Sequence, residues 1–387
     1  MSFHAGRHFL QIPGPTNVPD RVLRAMDFPT IDHRGPEFAA LGQAVLTGIR
    51  EVFGTVEPVV IFPSSGTGAW EAALVNVLSP GDRIVAFDNG NFAAAWTELA
   101  TRLGYQVEII PGVWGARPDL DALRERLRAQ DGHLIRAVCV VHNETSTGVT
   151  ADIGAVRACI DDCDHEALFL VDTISSLGSI DYQHDAWGID VTVCGSQKGL
   201  MLPPGLGFNA ISQRAVAASK TSTTPRSYWD WSAMLGPNAN GFFPYTPATN
   251  LLYGLDEALK MLREEGLSNV YARHTRLADA CRAAVDAWGL EFLVAEAEAR
   301  SNVLTAVCLE DADRFRKLVL ENYDMSLGAG LAKLSNQVFR IGHLGHMNEL
   351  MLAGTLSGVE MGLRDMGLSN ARGGVVAALD HLAKGAH

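Results

Sequence analysis

Lys198 has an unusual setting for a lysine. It closely follows the short apolar run Val191–Cys194, and it precedes Gly199 and a further apolar segment. A buried ammonium group is costly, so a lysine in such surroundings loses its charge readily and becomes a nucleophile towards aldehydes. The alternative is an ordinary lysine on an exposed loop. The setting predicts an amine that binds an aldehyde as a Schiff base.

Asp172 stands directly after the apolar run Ala167–Val171, which has the length and composition of a buried strand. Ligands of open α/β sheets bind at the carboxyl ends of the strands, so an acid at this position is placed to contact one. An aspartate that only caps a following helix is the alternative.

The segment Ser65-Gly66-Thr67 lies between the apolar run Val59–Phe62 and a helical pattern. Free backbone N–H groups, two hydroxyls and the positive end of the helix dipole make such a turn suited to a phosphate. The segment matches neither a Walker loop nor the GxGxxG fingerprint of dinucleotide-binding sheets. A helix cap without a ligand is the alternative.

The three features together indicate a chemistry that none of them indicates alone. A phosphate-binding turn, an acid for a ring nitrogen and an aldehyde-binding lysine, each at a strand end of one sheet, are the requirements of pyridoxal 5′-phosphate. Asp172 would keep the pyridine nitrogen protonated, so that the ring acts as an electron sink, and Lys198 would carry the cofactor. A non-catalytic pyridoxal-phosphate fold kept for binding or structure and a Rossmann dehydrogenase are the competing interpretations. Neither is favoured, since Lys198 and Asp172 are both present and no GxGxxG follows a strand.

The rest of the first part of the chain alternates between short apolar runs and longer helical patterns. This alternation predicts a mainly parallel sheet with helices on both faces, an α/β fold. The predicted strands are Val59–Phe62, Arg83–Phe87, Gln106–Ile110, Ala137–Val141, Ala167–Val171 and Val191–Cys194, and the predicted helices include Gly68–Leu78, Phe92–Leu103, Leu120–Ala129 and Ile153–Asp162.

Beyond about residue 250 the pattern changes. Two long helices, Leu251–Glu265 and Asn269–Trp288, precede short strands, Val303–Leu309 and Val338–Ile341, that alternate with helices. We interpret this part as a second, smaller α/β domain. The expected division is an N-terminal arm over residues 1–20, a large cofactor-binding domain over 21–255 and a small C-terminal domain over 256–387.

The sequence resembles the class V pyridoxal-phosphate-dependent aminotransferases, in particular the branch of serine–glyoxylate and alanine–glyoxylate aminotransferases. The similarity extends over nearly the whole chain, and its motifs are Pro13-Gly14-Pro15-Thr16-Asn17, Ser65-Gly66-Thr67-Gly68, His142-Asn143-Glu144-Thr145-Ser146-Thr147-Gly148, Val171-Asp172, Gly195-Ser196-Gln197-Lys198 and Phe339-Arg340-Ile341-Gly342. The resemblance implies fold type I of the pyridoxal-phosphate transferases. It also implies a homodimer whose active sites are shared between subunits.

Further site residues follow from the resemblance. Trp96 corresponds to the aromatic residue that stacks on the cofactor ring, with a core aromatic as the alternative. Thr145 corresponds to the residue that hydrogen-bonds on the phenolic-oxygen side of the ring, and Gln197 to a phosphate ligand. Thr246 corresponds to a residue that crosses to the phosphate site of the partner subunit. Some relatives carry a tyrosine where this chain has Phe243, a departure that would remove one hydroxyl contact.

Arg340, at the end of an apolar run, corresponds to the arginine that binds the α-carboxylate of the substrate, since a guanidinium pairs with a carboxylate through two contacts. A surface ion pair is the alternative. The implied activity is ping-pong transamination through the Lys198 Schiff base, with Lys198 also moving the Cα proton. A small L-amino acid, serine in the first place, donates to glyoxylate and gives glycine and a 2-oxo acid. Aspartate and alanine are alternative donors, and a lyase or a cysteine desulfurase of the same fold is a more remote alternative.

The composition limits the remaining classes of function. With 47% hydrophobic residues the 387-residue chain can bury a large interior, and its net charge of −13 argues against a nucleic-acid or anionic-membrane surface. No apolar run has the length of a membrane-spanning helix, the N-terminus lacks a secretory pattern and the C-terminus lacks a peroxisomal address. The spacing of the histidines gives no support to a metal site. We expect reduced cysteines and a cytoplasmic protein that binds neither nucleic acid nor membrane.

Overall fold

The computed structural model describes residues 5–368 and 370–384. The strands are, in chain order, β1 (Phe9–Gln11), β2 (Val59–Ser64), β3 (Arg83–Phe87), β4 (Gln106–Ile110), β5 (Ile135–Val141), β6 (Asn143–Glu144), β7 (Val149–Thr150), β8 (Leu168–Asp172), β9 (Val191–Gly195), β10 (Gly205–Ile211), β11 (Leu304–Cys308), β12 (Met325–Ala329) and β13 (Val338–Gly342). The helices are α1 (Asp20–Met26), α2 (Pro36–Phe53), α3 (Gly66–Val77), α4 (Asn91–Arg102), α5 (Leu120–Arg128), α6 (Ile153–Asp161), α7 (Gln213–Ser219), α8 (Trp231–Asn238), α9 (Thr249–Glu265), α10 (Leu267–Ala287), α11 (Ala312–Tyr323), α12 (Glu349–Asp365) and α13 (Gly374–Lys384). Short 3₁₀ turns span Gly132–Leu134, Ala297–Ala299 and Ala332–Leu334.

The larger sheet has seven strands in the order β2-β10-β9-β8-β5-β3-β4. Neighbouring strands are parallel, except that β10 runs antiparallel to both β9 and β2. The prediction of an α/β fold with a mainly parallel sheet is therefore confirmed. The sequence pattern does not predict β10, because Gly205 and Gly207 interrupt its apolar run and make it resemble a turn.

Helices cover both faces of this sheet, as the apolar strands require. In β2, Val59 and Ile61 pack into a core that includes residues of α2 and α9, whereas Val60 and Phe62 pack into a second core that includes α3. Alternate residues of a strand point to opposite faces, so each strand contributes to both cores. Burial on both sides fixes the register of the strands and hence the positions of the residues at their ends.

The predicted elements agree closely with the observed ones. The strands β3 and β4 have the predicted bounds, and the other predicted strands and helices differ by two residues or fewer at either end. The differences lie at the ends of elements, where the last hydrogen bonds depend on the neighbouring chain and not on the local pattern.

A four-stranded sheet, in the order β1-β12-β13-β11, organises the C-terminal part of the chain. Strand β1 is parallel to β12 and the other pairs are antiparallel, with a core that includes Leu277, Phe315 and Val359. The expected N-terminal arm thus provides an edge strand for the C-terminal sheet.

The expected boundary between residues 255 and 256 falls inside α9. Leu252 and Leu259 of this helix both belong to the core that it shares with the seven-stranded sheet. The division into an arm and two domains stays a prediction. Within the described ranges, no helix combines the length and the apolar character needed to cross a membrane.

Candidate active site

A pocket of about 270 Å³ opens at the carboxyl ends of β2, β8 and β9. The seven-stranded sheet brings together residues that are far apart in the sequence, because parallel strands end at the same edge. The predicted site residues that line the pocket are Ser65, Gly66, Thr67, Thr145, Asp172, Gln197 and Lys198.

Lys198 lies in the turn after β9 with only 8% of its surface exposed. Its Nζ donates a hydrogen bond to the Pro13 carbonyl oxygen, and the Thr16 hydroxyl donates to the Lys198 carbonyl over 3.2 Å. Burial lowers the pKa of the Lys198 ammonium to about 8, and the nearby Arg340 cation acts in the same direction. Lys198 is therefore the buried, easily neutralised amine that the sequence predicts, and not a surface lysine.

Asp172 is the last residue of β8 and is 3% exposed. Its carboxylate accepts hydrogen bonds from Trp70 Nε1 over 3.0 Å and from the Ile174 backbone N–H over 2.6 Å. Burial raises the pKa of this carboxyl to about 7, against the effect of these two donors. Since no helix begins directly after β8, the helix-cap interpretation of Asp172 is wrong.

The Ser65-Gly66-Thr67 turn forms the N-terminus of the 12-residue helix α3. The Ser65 side chain makes no capping hydrogen bond, so the first N–H groups of α3 have no side-chain acceptor there. A Cβ on Gly66 would lie 2.3 Å from Ile174 Cδ1, so a side chain at this position would fill the end of the pocket. Ser65 and Thr67 are exposed at the pocket mouth. The turn can hold an anion with backbone N–H groups and hydroxyls.

Arg340 belongs to β13 of the C-terminal sheet and is 7% exposed. Its Nε donates to the Ala329 carbonyl over 2.7 Å and its Nη1 donates to the Thr145 carbonyl over 2.6 Å. Burial lowers the pKa of the guanidinium to about 10, and the Glu144 carboxylate opposes this shift. The surface ion-pair interpretation is wrong, because the side chain is buried beside the pocket. A guanidinium has five N–H groups, so several stay available for a carboxylate.

Trp96 does not line the pocket, which corrects its expected place against the cofactor ring. Its ring stacks on that of Trp70 in the hydrophobic core, with centroids 5.9 Å apart. Phe92, one turn earlier on α4, lines the pocket instead. Both residues lie on one face of the helix, but only its first turn reaches the edge of the sheet. The core-aromatic alternative for Trp96 is the one that the packing supports.

Thr246 is exposed and does not line the pocket of its own chain. Nearby, Phe243 packs edge-on against Phe38, with ring centroids 6.1 Å apart. The role of Thr246 towards a partner subunit stays a prediction.

The family of the protein follows from comparison with known proteins. The model of the family "Aminotransferase class-V" matches residues 8–338. The chain belongs to the class-V aminotransferases. It is therefore an aminotransferase, and its cofactor is pyridoxal phosphate.

Several known aminotransferases are similar to this chain over nearly their full length. A serine–glyoxylate aminotransferase of Arabidopsis thaliana is 46% identical over 96% of this chain and 94% of its own. An L-aspartate–glyoxylate aminotransferase of Paracoccus denitrificans is 44% identical over 96% of this chain and 95% of its own. The crystal structure of an alanine–glyoxylate aminotransferase from Nostoc sp. superposes with a TM-score of 0.87 at 30% identity, over 94% of this chain and 97% of the other. The class-V enzyme described here has fold type I.

The residues of the class-V pocket fit pyridoxal phosphate. The Gln197 Oε1 atom is buried without a hydrogen-bond partner among the described residues, next to the turn at the start of α3. An amide that lacks a partner within the protein is suited to a polar ligand, and its oxygen and nitrogen can exchange places by rotation. Gly66 leaves the space that a larger residue would fill. Among the described residues, no group of three or more His, Cys, Asp or Glu is arranged to hold a metal ion.

Sequence reasoning misses several residues of the class-V pocket. Trp70 holds the Asp172 carboxylate, Phe92 lines a wall, and the segment Pro13–Pro15 covers Lys198. Phe92 carries a weak signal, since it stands in the first turn of the helix that follows β3, a strand of the parallel sheet. The pairing of Trp70 with Asp172 has no local signal, because the two residues are 102 positions apart.

Proposed function

We propose that this enzyme transfers the amino group of L-serine to glyoxylate, which becomes glycine, and releases the 2-oxo acid of serine. The observation that carries the proposal is the grouping of Lys198, Asp172 and the Ser65-Gly66-Thr67 turn around one pocket, with Arg340 beside it. The plant serine–glyoxylate aminotransferase, at 46% identity, supports this choice of donor and acceptor.

In this proposal each side chain of the pocket has one task towards the cofactor. Lys198 Nζ holds the aldehyde carbon, the Asp172 carboxylate holds the ring nitrogen, and the start of α3 with Gln197 holds the phosphate. Thr145 contacts the phenolic-oxygen side of the ring. Bound pyridoxal phosphate supplies an electron sink for the negative charge that develops at the substrate Cα.

Lys198 and Arg340 act on the substrate. Arg340 binds the α-carboxylate with the N–H groups that the Ala329 and Thr145 carbonyls leave free. Lys198 Nζ accepts the Cα proton and later returns it. The pKa of about 8 keeps a substantial fraction of free Lys198 neutral at mildly alkaline pH, which a base requires. The Arg340 cation favours this neutral form.

The active site is proposed to be completed by a second copy of the chain. Ser65 and Thr67, which form the phosphate turn, are exposed in the single subunit, and so is Thr246. A homodimer in which Thr246 reaches the phosphate turn of the partner subunit would cover all three residues. Exposed ligand-binding hydroxyls at a pocket mouth support this arrangement.

A screen of half-reactions tests the proposed function. The protein loaded with pyridoxal phosphate is mixed with single L-amino acids, the loss of the visible absorption band is recorded, and glyoxylate is then added. We expect serine to bleach the band and glyoxylate to restore it with formation of glycine. The Lys198→Ala variant is the control and should show neither the absorption of the Lys198 Schiff base nor turnover. A band that no amino acid bleaches would contradict the proposal.

Aspartate is the second candidate donor. The Paracoccus relative named for aspartate and glyoxylate is 44% identical, close to the value for the plant enzyme. In the same screen, bleaching by aspartate and not by serine would overturn the choice of donor and leave the aminotransferase chemistry intact. Alanine, the donor in the name of the Nostoc protein, is tested in the same way.

The cysteines favour transamination over desulfuration. All six belong to the described residues, are unpaired, and do not line the pocket. Burial raises the pKa of the Cys139 and Cys194 thiols, which makes them poor nucleophiles. Six thiols without a disulfide also support our placement of the enzyme in the cytoplasm.

A further inference from the structure

Glu144 is a fully buried carboxylate, with 0% of its surface exposed. It follows Asn143 of the pocket wall and precedes Thr145, and neither the cofactor nor the substrate roles proposed above use it. A buried carboxylate is costly unless hydrogen bonds compensate for the lost water. Within the described part of the chain Glu144 forms no ion pair at contact distance, so hydrogen bonds must hold it.

Four hydrogen bonds end on this carboxylate. Oε2 accepts from the Phe92 and Ala93 backbone N–H groups, each over 3.0 Å, at the N-terminus of α4. Oε1 accepts from the Ser146 backbone N–H over 2.9 Å and from the Ser146 hydroxyl over 2.7 Å. The carboxylate therefore ties the first turn of α4 to the turn at residues 144–148.

Each of the two tied segments carries one side of the pocket. The first turn of α4 carries Phe92, which lines the pocket. The turn at residues 144–148 carries Thr145, whose carbonyl oxygen accepts a hydrogen bond from Arg340 Nη1 over 2.6 Å. A displacement of the Glu144 carboxylate would change the separation between Phe92 and Arg340.

We infer that Glu144 is a positioning residue, whose carboxylate holds the Phe92 wall and the Arg340 guanidinium at the separation that the cofactor and the substrate carboxylate require. This inference rests on the proposed role of Arg340. The predicted effect of Glu144 on the position of Phe92 and on cofactor binding does not depend on which donor or acceptor the enzyme uses.

Gly90 provides a way to move the carboxylate without removing it. A Cβ on Gly90 would lie 2.1 Å from Glu144 Cγ, and the residue is outside the pocket lining. Its φ of 172° is extended, so alanine fits the backbone and only the contact with Glu144 is strained. Gly90→Ala keeps the charge and shifts its position, whereas Glu144→Gln keeps the shape and removes the charge.

The test compares three variants by two measurements at a temperature well below unfolding. The variants are Glu144→Gln, Gly90→Ala and, as a matched control, Asp119→Asn, which alters a carboxylate that caps α5 through two backbone N–H groups away from the pocket. The first measurement is the Kd of pyridoxal phosphate for cofactor-free protein, together with the absorption band of the bound cofactor. The second is KM and kcat for the donor.

We expect Glu144→Gln and Gly90→Ala each to raise the Kd of the cofactor about tenfold and the KM for the donor about tenfold, with a smaller change in kcat. The control variant, Asp119→Asn, should keep the wild-type Kd of the cofactor and the wild-type KM for the donor. Variants that keep the wild-type Kd, band and KM would overturn the inference, because Glu144 would then at most stabilise the fold. A wild-type protein without turnover would contradict the proposed function, while the Kd and the band would still decide the role of Glu144.

Discussion

Burial shifts the pKa values of Lys198 and Asp172 in opposite directions. It lowers the pKa of the Lys198 ammonium to about 8 and raises the pKa of the Asp172 carboxyl to about 7. In each case the loss of water is the largest cause, because it disfavours the charged form. Both shifts are properties of the protein alone, so each is measurable on cofactor-free enzyme.

For Lys198, the reaction of the free amine with an aldehyde should follow the lowered pKa. Only the neutral amine reacts, and its fraction rises with pH through the pKa. We expect the rate of reductive trapping of Lys198 to reach half its maximum near pH 8, as the pKa of about 8 requires. An ordinary lysine in a short peptide should reach it near pH ~10.4. Peptide mapping by mass spectrometry measures the trapping rates of Lys198 and of the peptide lysine at each pH. Equal midpoint pH values for the two lysines would contradict the lowered pKa of Lys198.

For Asp172, the raised pKa predicts a pH-dependent stability. The folded state keeps the carboxyl proton up to about pH 7, whereas the unfolded chain loses it near the model value of 3.8. Between these values the folded state binds more protons, so its free energy of unfolding falls as pH rises, by on the order of 4 kcal/mol in all. The Asp172→Asn variant has no carboxyl at this position, so its free energy of unfolding should not show this fall with pH.

Urea unfolding of cofactor-free protein at several pH values measures this difference. The exposed Asp380→Asn variant should behave like wild type. A constant difference between wild type and Asp172→Asn from pH 5 to pH 8 would contradict the prediction.

At the level of elements, the chain segment that follows β1 connects the two sheets to Lys198. The Pro13 carbonyl accepts from Lys198 Nζ, and the Thr16 backbone N–H donates to the Gln197 carbonyl over 3.1 Å. A Cβ on Gly342 of β13 would lie 2.2 Å from the Ile12 carbonyl oxygen. The arm is therefore fixed between the Lys198 turn and the strand that bears Arg340.

Gly14 is the point at which this arm approaches Lys198 most closely. Its φ is +107°, and a Cβ would lie 2.3 Å from Lys198 Cδ. We expect Gly14→Ala to destabilise the protein by about 1–3 kcal/mol through backbone strain, and also to change the trapping rate of Lys198. Gly6→Ala is the matched control, because Gly6 has a φ of +98° with nothing within 4 Å. Thermal unfolding measures the effect of backbone strain, whereas the trapping assay measures the displacement of Lys198. Equal trapping rates in Gly14→Ala and wild type would contradict the close contact between Gly14 and Lys198.

At the scale of the whole molecule, the proposed homodimer predicts a particle that contains two chains. Light scattering should give twice the 41.6 kDa subunit mass. We expect Thr246→Val to raise the Kd of the cofactor about tenfold, through the loss of one hydrogen bond to phosphate.

Mixing subunits tests whether Thr246 acts on the partner's site. A dimer of one Lys198→Ala chain and one Thr246→Val chain would contain one site with both mutations and one native site. Recovery of sites with the wild-type Kd after mixing supports sharing between subunits. If mixing restores none, Thr246 acts within its own chain.

The sequence by itself determines the framework of this protein and the centre of its site. Apolar runs of strand length alternate with helical patterns, and this local information suffices for the parallel sheet and for the bounds of β3 and β4. It also suffices to place Lys198, Asp172 and the Ser65-Gly66-Thr67 turn at one edge, because parallel strands end together.

Only the tertiary structure decides what lies against these residues. Periodicity shows that Phe92 and Trp96 share one face of α4, but not that the sheet edge meets Phe92 while Trp70 covers Trp96. It does not show that β1 pairs with β12, or that Arg340 donates to the Thr145 carbonyl 195 positions away. Such contacts depend on the packing of distant segments, and a pattern with a period of a few residues carries no information about that packing.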